Sequence, residues 1–133
     1  MRTTIAIIQM GVPIAWVELI NHHTVRRVNA YSRLHLRQEP MLLMEFHSTP
    51  AGVKGQAELV QELASSQGGH EFEWASTPEA RTRLWTPRHN AYFAAIQSRP
   101  GCQFIATDTC VPISRPADCL LASVAETDAS GLP

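Results

Sequence analysis

Between Trp85 and Tyr92 the chain reads W-T-P-R-H-N-A-Y, and these eight residues hold the types best suited to grip an anion. In a helix, Trp85, Arg88 and Tyr92 stand at i, i+3 and i+7, on or near one face. A guanidinium presents a planar fork that holds a carboxylate through two parallel hydrogen bonds, and an indole or phenol stacked on it fixes the plane of that fork. Arg88 between these two aromatics is therefore a candidate carboxylate clamp. The alternative is a surface arginine whose stem packs on Trp85.

The other reactive side chains are weaker candidates. His89 could act as a base or orient a substrate, but no partner is identifiable in the sequence, which favours a hydrogen-bonded structural histidine beside Asn90. His22 and His23 fall at a helix start and are expected to be solvated, and His47 ends a strand. The six histidines show no H-x-H or H-E-x-x-H spacing, so no metal site is expected within the chain. Asp108 lies in a strand between Thr107 and Thr109 and needs donors, expected from the backbone of a neighbouring turn. Glu18 and Glu45 are single acids inside apolar strands. If those strands pair side by side the two carboxylates come near each other; otherwise they face solvent at strand edges. Nothing near Cys110 in sequence would activate its thiol, so it reads as a small buried residue.

The segments that must position these residues follow from periodicity and punctuation. Residues 3–10 read as a short helix stopped by Gly11 and Pro13. Ile14–Ile20 reads as a strand. Asn21 can cap a helix running to about Leu36, with Val25, Val28 and Leu36 toward the core. Met41–His47 is apolar on both faces apart from Glu45, as in a strand near the middle of a sheet. Ser48 or Thr49 before Pro50 starts an amphipathic helix to about Gln67, with Val53, Ala57, Val60 and Ala64 on one side. His70–Ala75 alternates cleanly and predicts a strand with Phe72 and Trp74 on one face. Thr77-Pro78-Glu79 starts a helix to about Ser98, which Pro87 should kink. Phe104–Val111 predicts a strand, and Pro116–Thr127 a last helix. The order is a helix followed by strand and helix alternating four times. No Gly-rich phosphate loop follows any strand, so an α+β layer is as well supported as a doubly wound sheet.

Totals narrow the function classes. At 133 residues the chain is one domain or part of one. A net charge of −1 gives no electrostatic footprint for nucleic acid or an anionic membrane. No run approaches the roughly 18 apolar residues that span a bilayer. Gln9, Gly11 and Pro13 interrupt the apolar start, which is expected to be a helix entering a strand and not a signal peptide. Three cysteines without a C-x-x-C imply neither a disulfide framework nor a zinc ribbon.

W-T-P-R-H-N-A-Y, the following R-P-G-C, and T-D-T-C-V-P-I-S-R together resemble the C-terminal domain of FAD-linked oxidases of the D-lactate dehydrogenase (cytochrome) and glycolate oxidase subunit type. G-V-P-I-A-W-V-E-L-I, L-L-M-E-F-H-S-T-P and G-H-E-F-E-W-A fit the same domain, so the resemblance covers about residues 5–132. It implies a ferredoxin-like α+β fold, with a sheet layered by helices, that covers a flavin ring over a small 2-hydroxy acid. It also implies that Arg88 binds the substrate carboxylate, that Tyr92 lines the pocket and that Asp108 is structural beside it. Pro87 departs from the usual alanine or leucine. In the intact family enzyme FAD takes the hydride, and a divalent metal is held by a G-H-x-G-D-G-N-x-H stretch that would follow A-S-G-L. Neither that stretch nor the FAD-binding domain is within residues 1–133. The expectation is thus a single partial domain, inactive alone, with no cofactor of its own and no catalytic residue. Its expected partner is an FAD-binding domain or subunit, with homodimerisation possible. The location implied is bacterial cytoplasm or, in a eukaryote, mitochondria. The alternatives are a stand-alone α+β binding or interaction module and a subunit complemented by a separate flavin-binding chain.

Overall fold

A computed structural model describes residues 2–112 and 114–131. Met1, Ile113 in the T-D-T-C-V-P-I-S-R motif, Leu132 and the terminal Pro133 lie outside the described residues. The elements run α1 (Arg2–Gln9), β1 (Ile14–Ile20), α2 (His22–Ser32), β2 (Met41–Phe46), α3 (Pro50–Ser66), α4 (Pro78–Gln97) and α5 (Pro116–Ser130). Among the described residues, five helices and a two-stranded antiparallel sheet make this an α+β fold. The chain divides into two compact units, Arg2–Phe104 and the segment from Ile105 onward.

In the larger unit the helix starts are dictated locally. Asn21 Oδ1 accepts from Thr24 N at 2.9 Å, and the Thr49 and Thr77 hydroxyls each accept from the backbone N–H three residues on, at 3.3 Å. Each side chain thereby satisfies one of the donors that a helix N-terminus leaves free. Pro50 and Pro78 occupy first-turn positions where no N–H is required. Apolar positions then bury. Ile7 of α1, Ile20 of β1, Val25 and Val28 of α2, Val60 and Ala64 of α3, and Ala94 of α4 form the core. α2 packs on α4, α1 on α3, and α3 on β2.

β1 and β2 pair from Ile20↔Met41 to Ile14↔Phe46, with an irregularity between Ile14 and Trp16. Glu18 stands opposite Leu43 and Trp16 opposite Glu45. Residues opposite each other in an antiparallel pair share a face, and so do alternate residues of one strand. Trp16, Glu18 and Glu45 therefore emerge on the same side.

α4 runs unbroken through Pro87, which is buried together with Ala94 seven residues on. That face meets α2, where Asn90 Nδ2 donates to Ser32 Oγ at 2.8 Å. Proline removes one backbone donor. On the N-terminal side of Pro87, the Thr82 and Thr86 hydroxyls give two carbonyls an extra donor, bonding Pro78 O and Thr82 O at 2.9 Å each.

Several sequence expectations are corrected. The second helix ends at Ser32, not near Leu36, because Arg33 turns left-handed (φ 53°) and the Asn29 amide clasps both the N–H and the C=O of Leu36. Leu36 is half-buried outside the helix. Met41–Phe46 is not central in a sheet: it has one partner strand and is half-buried throughout. His70–Ala75 forms no strand. Glu71 has φ 56°, which breaks an extended run, and its carboxylate bonds Arg37 Nη1 at 3.1 Å while His70 pairs with Glu39 at 3.1 Å. Phe104–Val111 is not a strand either. Its residues are exposed up to Cys110 and lack a ladder partner among the described residues. Of the four expected strands, two are found among the described residues.

In the smaller unit, α5 runs from Pro116 to Ser130 and is capped by Gly131, whose left-handed φ of 68° closes the helix. Val111, Pro112, Arg115, Asp118, Cys119 and Ala122 line an open hollow of about 390 Å³.

Candidate functional site

Arg81, Trp85, Arg88 and Tyr92 occur at i, i+4, i+7 and i+11 of α4 and share a face distinct from the one that meets α2. Two of them reach the acids of the sheet. Arg88 donates its Nε–H to Glu18 Oε2, and Arg81 donates through Nη2 to Glu45 Oε1 at 2.5 Å. Glu18 is itself held: its Oε1 accepts from the Trp16 indole N–H at 2.9 Å. The two glutamates, expected to be either neighbours or solvent-facing, are thus drawn onto one face and each takes an arginine from the same helix.

The Arg88 pair has a specific geometry. Only Nε is engaged, and no described residue bonds the two terminal nitrogens. The end-on fork of the guanidinium is therefore open, on a side chain that stands half in solvent. Glu18, and not Trp85 as the spacing suggested, is the side chain that contacts the Arg88 guanidinium. The Trp85 ring lies parallel to His89 instead, with centroids 6.3 Å apart and planes 23° from parallel. Tyr92 is exposed and meets Phe93 and Phe104 edge to face, at 5.6 and 5.2 Å. An anion at the Arg88 fork would have an aromatic cluster one helical turn away.

Glu45 is more crowded. Besides Arg81 it has the His47 imidazole Nε2 at 2.8 Å from the same oxygen. The His47 hydrogen bond first, then the Arg81 charge, hold its carboxyl below the usual glutamate range against the opposing effect of desolvation. His47 is thereby accounted for as a partner of Glu45. His22 and His23 are half-buried, with ring centroids 3.9 Å apart, and not solvated as expected.

Asp108 and Cys110 lie in the smaller unit. Asp108 is exposed and accepts no hydrogen bond among the described residues, so the expected backbone anchor is not found there. Cys110 is exposed where a buried residue was expected. Among the described residues no three His, Cys, Asp or Glu side chains converge as metal ligands would. Arg81 is the participant that sequence reasoning missed. Its spacing of seven from Arg88, two helical turns on one face, was the available signal.

A flavin dinucleotide does not fit these residues by themselves. Its pyrophosphate is held elsewhere by glycine-rich turns opening onto free helix N-termini. Here β1 passes to α2 through Asn21 alone and β2 to α3 through His47–Thr49, both without glycine, and both helix starts are capped by their own side chains.

The family described as "FAD linked oxidases, C-terminal domain" matches residues 1–133. A probable mitochondrial D-lactate dehydrogenase of Danio rerio is 40% identical over 113 residues, 85% of this chain and 23% of its own length. A mitochondrial D-lactate dehydrogenase (cytochrome) of Arabidopsis thaliana is 36% identical over 128 residues, 96% of this chain and 23% of its own length. The corresponding enzyme of Kluyveromyces lactis is 27% identical over 134 residues, again 23% of its length. The chain therefore spans about a quarter of the curated relatives it matches.

Proposed function

The chain belongs to the FAD linked oxidase family as its C-terminal domain, and from that premise we propose that it is the substrate-facing cap of a flavin-dependent D-2-hydroxy-acid dehydrogenase of the D-lactate type. The open end-on fork of Arg88 is the observation that carries this reading. A monocarboxylate fits such a fork bidentately, with both oxygens satisfied by parallel N–H donors. Tyr92 and its ring neighbours Phe93 and Phe104 supply an apolar wall beside it. Side chains cannot accept a hydride, so the acceptor is the family's FAD, held by an FAD-binding domain or subunit. The share of the work that falls to these residues is to bind the acid, fix its orientation and exclude water from one side.

By itself the chain then lacks dehydrogenase activity and tight FAD affinity. The purified 133-residue protein, mixed with FAD, D-lactate and a dye acceptor, is expected to reduce dye at the blank rate. Turnover above blank overturns the cap reading. A divalent metal, if the intact enzyme uses one, takes its ligands from outside these residues.

A second reading is that the domain also self-associates. Both outer edges of the β1–β2 sheet lack partner strands among the described residues, and such edges pair readily with another chain. Sedimentation at micromolar concentration tests this, and a monomer throughout rules it out. No helix among the described residues is long and apolar enough to cross a membrane. Separately, the mitochondrial relatives support a mitochondrial location in a eukaryotic host.

A further inference from the structure

We propose that Glu18 is the positioning residue of the Arg88 fork, and that Trp16 in turn positions Glu18. The proposal rests on the reading of Arg88 as the carboxylate-binding residue. A guanidinium offers a carboxylate two bidentate approaches, end-on through its two terminal nitrogens or side-on through Nε and one of them. Glu18 takes the Nε–H, which removes the side-on approach and leaves the end-on one. It acts from a rigid base. Glu18 lies inside β1, in register with Leu43 of β2, and its second oxygen is fixed by the Trp16 indole at 2.9 Å. Arg88 itself stands on a long flexible stem at the solvent boundary. A stem of that kind loses rotamer entropy whenever it is held in one geometry. The Glu18 contact holds it before substrate arrives, so less ordering remains to oppose binding. Charge works in the opposite direction: Glu18 and the substrate carboxylate compete for one cation, so position, not charge, is what Glu18 supplies.

The test has a geometric and a kinetic arm. In the 133-residue chain, nitrogen-15 NMR of arginine side chains should show an Arg88 Nε–H signal protected from exchange. It should lose that protection in Glu18→Gln and, more weakly, in Trp16→Phe. An unprotected Arg88 Nε–H in the wild type overturns the proposal. In the flavin-loaded enzyme that carries this domain, Glu18→Gln should raise KM for D-lactate about tenfold, the scale of one lost charge-assisted contact, and raise it more than it lowers kcat. Placed on Arg88→Lys, which has no fork to aim, Glu18→Gln should add little further change in KM. If Glu18→Gln has the same effect in both backgrounds, its role is structural and the proposal fails. If Arg88→Lys raises KM while Glu18→Gln alone leaves it unchanged, the proposal also fails but the carboxylate-binding reading stands. If Arg88→Lys leaves KM unchanged, that reading itself is lost.

Discussion

Two arginine–glutamate pairs join α4 to the same face of the sheet, and they look alike until their atoms are compared. Arg88 and Glu18 are 47% and 20% exposed; Arg81 and Glu45 are 50% and 20% exposed. Burial therefore does not separate them. Arg88 is bound at Nε and keeps its terminal fork, whereas Arg81 is bound at a terminal nitrogen and its fork is broken. Glu18 has a neutral indole as its second partner; Glu45 has an imidazole on the same oxygen as the arginine. In the proposed reading the first pair presents a cation to a ligand. The second is closed on itself, a three-residue cluster whose charges satisfy one another. Exposed ion pairs of either kind contribute only about 0–1 kcal/mol to stability, so the larger difference between them is expected in binding.

The sharpest way to break this comparison is to remove each guanidinium in the flavin-loaded enzyme. Arg88→Met should raise KM for D-lactate about a hundredfold, as expected for losing a bidentate charged contact of roughly 3 kcal/mol. Arg81→Met should change it by less than about threefold. Equal effects would mean that the open fork does not distinguish the two residues. Arg88→Lys retains the charge but not the planar fork, and should fall between, near tenfold.

A smaller effect appears in stability against pH. Glu45 has its carboxyl depressed in the folded state, so it binds a proton more weakly there than in the unfolded chain. Its contribution is present above the ordinary glutamate value of about 4.3 and is lost as pH falls through the depressed value. Urea titrations between about pH 6 and 3 should show Glu45→Gln with a shallower acid loss than the wild type, the curves converging at the lowest pH. An unchanged acid slope would remove the closed cluster from the comparison.

How much of this was legible in the sequence depends on whether the determinant was local. The caps at Asn21, Thr49 and Thr77 were readable because the side chain bonds a backbone group three residues away. The paired strands were readable from dense apolar content. The failed strand at His70–Ala75 had the alternation but no partner among the described residues. Phe72 and Trp74 alternate as a strand would, yet Glu71 adopts φ 56° and the segment is tied by Arg37 and Glu39 through charges more than thirty residues away in sequence. Nothing local announces such a tie. The site divides the same way. Trp85, Arg88 and Tyr92 on one helical face follow from spacing alone, while the Glu18 contact spans seventy positions and depends on the register of β1 against β2.

The finest distinction lies within the closed cluster, and carboxylate carbon-13 titration of Glu45 resolves it. His47 is the first cause of the depressed carboxyl and Arg81 the next, although the arginine carries the permanent charge. The ordering is physically reasonable because both side chains converge on one oxygen and both stand largely in water, His47 more than Arg81, where screening weakens the Arg81 charge more than it weakens the direct His47 hydrogen bond. His47→Gln should therefore raise the Glu45 midpoint toward the ordinary value more than Arg81→Met does. The reverse order would make the Arg81 charge the main influence on Glu45. The second pair would then be an ordinary arginine–carboxylate contact, closer in kind to the first, and the contrast between them would rest on the free fork of Arg88 alone.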